Sequence, residues 1–227
     1  LLLLNLLFIS SSYFSQTTID KTIVSGGITR SYKLYIPAMY NGSTSVALVL
    51  NLHGLGSNSV QQMFYGDFRS IADTANFIIV HPQGTTSATL GSTYWNAYFG
   101  GSVNDINFLS EMIDTISSNY NIDINRIHST GMSNGGYMSL ALAAGLNDKI
   151  ASVASVTGSM TNIFPVTPTN TKSISVLQIH GTADSTVNYS GDVNSKSIQN
   201  VLNYWIGYNS TTTTPVIDSL ADINTAD

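Results

Sequence analysis

Arg126-Ile127-His128-Ser129-Thr130-Gly131-Met132-Ser133-Asn134-Gly135-Gly136-Tyr137-Met138-Ser139-Leu140-Ala141-Leu142-Ala143-Ala144 is the stretch on which the fold turns. Arg126–Thr130 reads as a short strand, and Gly136–Ala144 as a helix of good helix formers. Between them Gly131-x-Ser133-x-Gly135 makes a G-x-S-x-G turn. A serine on a sharp strand-to-helix turn is lifted clear of the sheet, and glycines flank it because side chains there would collide with strand and helix. The spacing alone recurs by chance, and an ordinary tight turn would satisfy it. The strand–turn–helix context is what makes Ser133 a candidate nucleophile.

Outward from this turn the chain alternates strand and helix. Tyr32–Pro37 alternates as an early strand, and Val46–His53 is a continuous apolar run, as expected of a strand buried on both faces. Val60–Ala75 reads as one helix, and Phe77–Val80 as a buried strand stopped by Pro82 and Gly84. Residues 85–103 are aromatic and aperiodic, a long loop of the kind that carries function. Asn104–Tyr120 has helical spacing at Ile106, Leu109, Ile113, Ile116 and Tyr120. Ile150–Val156 and Ile174–Ile179 are two further strands, and Ser195–Tyr208 a last helix. This order predicts an α/β fold with a doubly wound, mostly parallel sheet in one domain over residues 16–227.

With 227 residues, one domain can bury a sizeable core. Only 9% of residues are charged and the net charge is −5, so there is no basic stripe for nucleic acid. Cysteine is absent, which excludes disulfides and thiolate metal sites. No His/Asp/Glu cluster has ligand spacing, so neither a metal nor a cofactor is implied. Leu1–Ile9 is apolar and followed by Ser10–Ser15, which resembles the core of a signal peptide and is too short to cross a bilayer. Residues 1–15 are therefore expected to be a signal remnant cut near Ser15 or Gln16, leaving an extracellular or periplasmic protein with no membrane contact. A buried strand is the alternative reading of this run.

A nucleophilic serine needs a base and an orienting carboxylate. Asp184 follows Val176–His180 in the turn Gly181-Thr182-Ala183-Asp184, at a strand's C-terminal end where catalytic groups gather. Asp192 competes for the role, and either could be a plain turn residue. The base is harder to place. His53, His81, His128 and His180 all precede Asp184 and read as structural. The base is expected beyond Asp227, in a domain incomplete at its C-terminus. An oxyanion hole needs two backbone N–H groups. Asn134 should supply one, and the glycine-flanked turn His53-Gly54-Leu55-Gly56 the other, through Gly54 or Leu55. Trp95, in the long loop, is expected to line the substrate cleft, with packing as the alternative.

Together these pieces resemble the secreted polyhydroxybutyrate depolymerase-like and feruloyl esterase-like family of α/β-hydrolases. The matching stretches run in order from Leu52-His53-Gly54-x-Gly56 through His81-Pro82-Gln83-Gly84, Trp95-Asn96 and Val103–Leu109. They continue with Tyr120–Asp123, Arg126-Ile127, Thr130–Gly136, His180–Asp184 and Val187-x-Tyr189-x-Gly191. The resemblance implies Ser133 as nucleophile, Asp184 as acid, and a histidine in a Gly-His-Trp-Pro-like stretch that this chain lacks. The family often has cysteines after its Trp-Asn pair, where this chain reads Ala97-Tyr98-Phe99-Gly100-Gly101. The implied activity is cleavage of carboxylic esters, polymeric or small, through an acyl-enzyme. A serine peptidase of the same fold and a non-catalytic binding module are the alternatives, and the oligomeric state stays open.

Overall fold

The computed structural model describes residues 16–163 and 166–220. The expected signal segment lies outside them. A seven-stranded sheet forms the centre, in the order β1-β2-β4-β3-β7-β8-β9. Its strands are β1 Thr17–Ser25, β2 Ile28–Ile36, β3 Val46–Leu52, β4 Ile78–Pro82, β7 Ile122–Met132, β8 Ser152–Val156 and β9 Ser175–Ile179. β1 and β2 pair antiparallel, and β2 meets β4 antiparallel. From β4 onward every pairing is parallel, so the sheet is mostly parallel as expected. Two short strands, β5 Thr85–Thr86 and β6 Thr93–Tyr94, form a separate ribbon.

The central parallel strands β3 and β4 are largely buried because helices cover both faces. In β4, Ile78 and Val80 join the main core, while Ile79 packs with Tyr35 and Ala72 on the other side. Ala72 belongs to α2 (Arg69–Ala75). On the same side, Asn51 of β3 accepts from Gln62 Nε2 and donates to Gly66 O, which docks α1 (Ser59–Tyr65). The main core lies opposite, under α3 (Asp105–Asn119), α4 (Asn134–Gly145) and α5 (Ile198–Asn209). α4 is buried along its whole length from Asn134 to Ala144, which explains its run of small and apolar residues.

Three expectations need correction. Val60–Ala75 is two helices, because the chain turns at Gly66 and Asp67–Phe68 before restarting. The strand before the serine spans eleven residues rather than five. β1 was not expected. Six of its nine residues are exposed and it alternates weakly, so it carries little apolar signal as an edge strand. At the opposite edge, β9 exposes Leu177 and Ile179.

Candidate active site

The strands that matter end level with one another. Leu52 pairs with Gly131, Met132 with Val156, and Val156 with Ile179. His53, Ser133, Thr157 and His180 therefore step off one rim of the sheet. Open α/β sheets place their ligands outside the carboxyl ends of the strands.

Ser133 sits between β7 and α4 with φ +53° and ψ −120°. A non-glycine residue in that region is strained by about 1–3 kcal/mol and must be held there by its surroundings. Its N–H donates to Val156 O at 2.8 Å, and its C=O accepts from Tyr137 N at 3.0 Å. The flanking glycines permit the turn by close approach rather than by unusual dihedrals. A Cβ on Gly131 would lie 2.5 Å from Gly135 O, and one on Gly135 would lie 2.7 Å from the Leu52 carbonyl carbon. No side chain fits between this turn and the end of β3.

Asn134 opens α4, so its N–H belongs to the first turn, which has no intrahelical acceptor. The loop after β3 runs alongside: a Cβ on Gly54 would be 3.6 Å from Ser133 Cβ. Leu55 is exposed, and its N–H makes no hydrogen bond among the described residues. This loop is fastened to the β5–β6 ribbon, since Gly56 N donates to Thr93 O and Thr93 Oγ1 to Ser57 O.

Asp184 lies in a tight turn beyond β9. Its Oδ1 accepts from Thr186 N and Val187 N, both at 2.9 Å. These N–H groups, Val187's foremost, hold its carboxyl below the ordinary value, with the nearby His180 adding to the effect. It is an ionised acceptor at neutral pH, one strand beyond β8 from Ser133. Asp192 instead accepts from Asn194 N and Ser195 N, which closes a separate turn.

The histidines are placed as follows. His53 is fully buried; its Nε2 accepts from Gly84 N at 2.9 Å, so Nδ1 carries the proton and donates to Gly54 O at 2.8 Å. Burial keeps it from charging. His180 Nε2 donates to Val187 O at 2.7 Å, pinning the Asp184 turn, and lies 3.6 Å from Asp184 Oδ2. His128 bonds Ser152 Oγ on the sheet. His81 is fully buried in β4. Among the described residues, none is hydrogen-bonded to Ser133.

Trp95 is the expectation that its placement contradicts. It is fully buried, so its ring cannot stack on a bound molecule. Its Nε1 donates to His53 O at 2.9 Å, and its backbone pairs with the Asn134 side chain. Next to it, Asn96 performs a task the sequence did not disclose. Its Nδ2 donates to Gly101 O and Val103 O, while its Oδ1 accepts from Phe99 N and Gly101 N. One side chain thus ties the loop after Trp95 without any disulfide. A buried ion pair anchors the same loop: Arg30 meets Asp105 Oδ1 at 2.7 Å, and Asp105 Oδ2 accepts from Asn96 N at 2.8 Å.

A serine raised on a strand–helix elbow at the rim of a mostly parallel sheet defines an α/β-hydrolase fold. Residues 39–215 match the phospholipase/carboxylesterase family, and the chain belongs to it. It is 28% identical over 163 residues to a bifunctional acetylxylan esterase/xylanase of Neocallimastix patriciarum, covering 72% of this chain and 22% of that protein. It is 28% identical over 138 residues to feruloyl esterase D of Neurospora crassa, covering 58% and 46%. The chain thus spans less than half the length of these two curated relatives. Its fold is shared with a ferulic acid esterase from Anaeromyces mucronatus, at TM-score 0.60 and 19% identity over 89% of this chain and 85% of that one.

Proposed function

We propose that this chain carries the nucleophile, the oxyanion hole and the acid of an exported serine esterase. Ser133 Oγ attacks an ester carbonyl, and the N–H groups of Asn134 and of Gly54 or Leu55 receive the oxyanion. A histidine takes the serine proton and returns it to the leaving alcohol; Asp184 orients that histidine. Water then cleaves the acyl-enzyme and releases the acid. The four histidines of this chain are engaged or buried elsewhere, so the base comes from outside residues 1–227, and these residues alone turn over little ester. The substrate is a carboxylic ester: an acetyl or feruloyl ester of plant polysaccharide, in keeping with the names of the relatives, or a polyhydroxyalkanoate.

The observation that carries this reading is Ser133 held at φ +53° between β7 and α4. A pure binding module gains nothing from that strain. The test is hydrolysis of p-nitrophenyl acetate, methyl ferulate and acetylxylan by the full-length gene product and its Ser133→Ala variant. Loss of a triad member costs about 10⁴- to 10⁶-fold in kcat. A variant that keeps near-normal turnover refutes the reading.

A further inference from the structure

We propose that the Asn134 side chain is a positioning residue, which sets the two halves of the oxyanion hole against each other by gripping Trp95. The inference rests on Ser133 as nucleophile. An oxyanion hole works only if its donors are fixed beforehand, about 2.7–3.1 Å from where the charge develops. Here the two donors come from segments far apart in sequence, the Gly54–Leu55 turn and the first residue of α4. Something must hold them in register.

The Asn134 amide does this with both of its ends. Oδ1 accepts from Trp95 N at 2.6 Å, and Nδ2 donates to Trp95 O at 3.0 Å. The pair imitates one rung of a β-ladder, with a side-chain amide in place of a strand. Asn134 and Trp95 are both buried, so neither group has water as a substitute. The indole then passes the constraint on. Its Nε1 donates to His53 O, and its ring lies 4.9 Å from the His53 imidazole. That imidazole is itself locked between Gly54 O and Gly84 N. An unbroken path thus runs from the residue bearing one donor to the turn bearing the other.

The requirement is specific to asparagine. An aspartate would set a second acceptor against Trp95 O, and an alanine would leave a buried N–H and C=O unpaired. Glutamine would reach one methylene too far. The Asn134 side chain touches no reacting atom; it acts through Trp95 and through its own backbone.

The experiment uses the full-length enzyme with Asn134→Ala, Asn134→Asp, Trp95→Phe and the Asn134→Ala/Trp95→Phe pair. Turnover of p-nitrophenyl acetate is read together with binding of phenylboronic acid, which forms a tetrahedral adduct on a nucleophilic serine. Asn134→Ala and Asn134→Asp are each expected to lower kcat about 10- to 100-fold with KM within about threefold, and to weaken phenylboronate in the same proportion. Trp95→Phe keeps an aromatic ring but removes Nε1–H together with the five-membered part of the indole, and should lower kcat about 3- to 10-fold. The pair should be no more than about twofold slower than Asn134→Ala alone, because both act on one path. A merely structural role would lower the melting temperature and leave kcat and phenylboronate affinity of the folded protein unchanged; that result overturns the proposal. Should Asn134→Ala fail to fold, Trp95→Phe decides, and unchanged kcat and boronate affinity in it overturn the proposal. A Ser133→Ala variant that retains turnover sinks the reading beneath; a dead Ser133→Ala beside a fully active Asn134→Ala sinks this inference alone.

Discussion

Acidification should destabilise this protein through His81 in a way that one substitution abolishes. The imidazole is fully buried in β4, and neither ring nitrogen has a hydrogen-bond partner. Burial, with Arg69 and Lys33 nearby and only Asp67 opposing them, pushes its pKa from 6.5 to about 4. The unfolded chain therefore takes up a proton that the folded chain refuses. Stability from this group is complete above about pH 6.5 and drains away as the pH falls toward about 4. At 1.36 kcal/mol per pH unit, the loss is about 3 kcal/mol, a large share of the typical 5–15 kcal/mol of a domain. His53 and His128 are also held down by burial, and carboxylates titrate over the same interval, so wild type alone cannot isolate the effect. The His81→Leu variant can. Urea unfolding of both proteins, at several values from about pH 7.5 to about pH 4, gives a difference in stability at each pH. That difference should move by about 3 kcal/mol in favour of the variant as the pH falls. A difference that stays constant would refute the reasoning, since it would mean His81 protonates alike in both states or is solvated.

Three further outcomes follow from the packing. Gly135→Ala drives a methyl group into the Leu52–His53 backbone and should cost about 2–4 kcal/mol or abolish soluble expression, read by thermal unfolding. Asp105→Asn leaves the Arg30 guanidinium buried without its carboxylate and should cost about 3–5 kcal/mol in urea unfolding. Trp95→Ala empties a fully buried site and should cost about 3–5 kcal/mol, and it should impair a short acetyl ester and an aromatic ester alike rather than raise KM for the aromatic one.

Elements whose physics is local could be read from the chain. β3 and β4 announce themselves as apolar runs because they are covered on both sides, and α3 shows its buried stripe at Phe108, Leu109, Met112, Ile113 and Ile116. The elbow is legible through its fixed spacing, although its glycines answer contacts with the remote end of β3 at Leu52 and His53 as well as with each other. β1 was missed because an exposed edge strand needs no apolar pattern. The break at Gly66 was missed because the helical spacing resumes in α2. Trp95 misled for a different reason. An aromatic residue in a long loop fits a cleft or a core equally well. The partners that decide between them, Asn134 and the His53 carbonyl, are remote in sequence and carry no spacing signal. Asn96 follows Trp95 in the chain, and nothing in its neighbourhood foretells four hydrogen bonds from one amide.

The fit of the elbow against Leu52 also fixes when in folding a strained serine can exist. Its geometry depends on β3 lying beside β7 and on the Val156 carbonyl at the end of β8. These contacts join segments well separated along the chain, and parallel pairings of that kind close slowly because loop entropy is lost before they form. Before they close, residues 131–135 can relax to an ordinary turn with Ser133 at negative φ. On the nucleophilic role proposed for Ser133, its reactivity is a late event, and a covalent serine probe would report completed docking of β3, β7 and β8 rather than the mere presence of the chain.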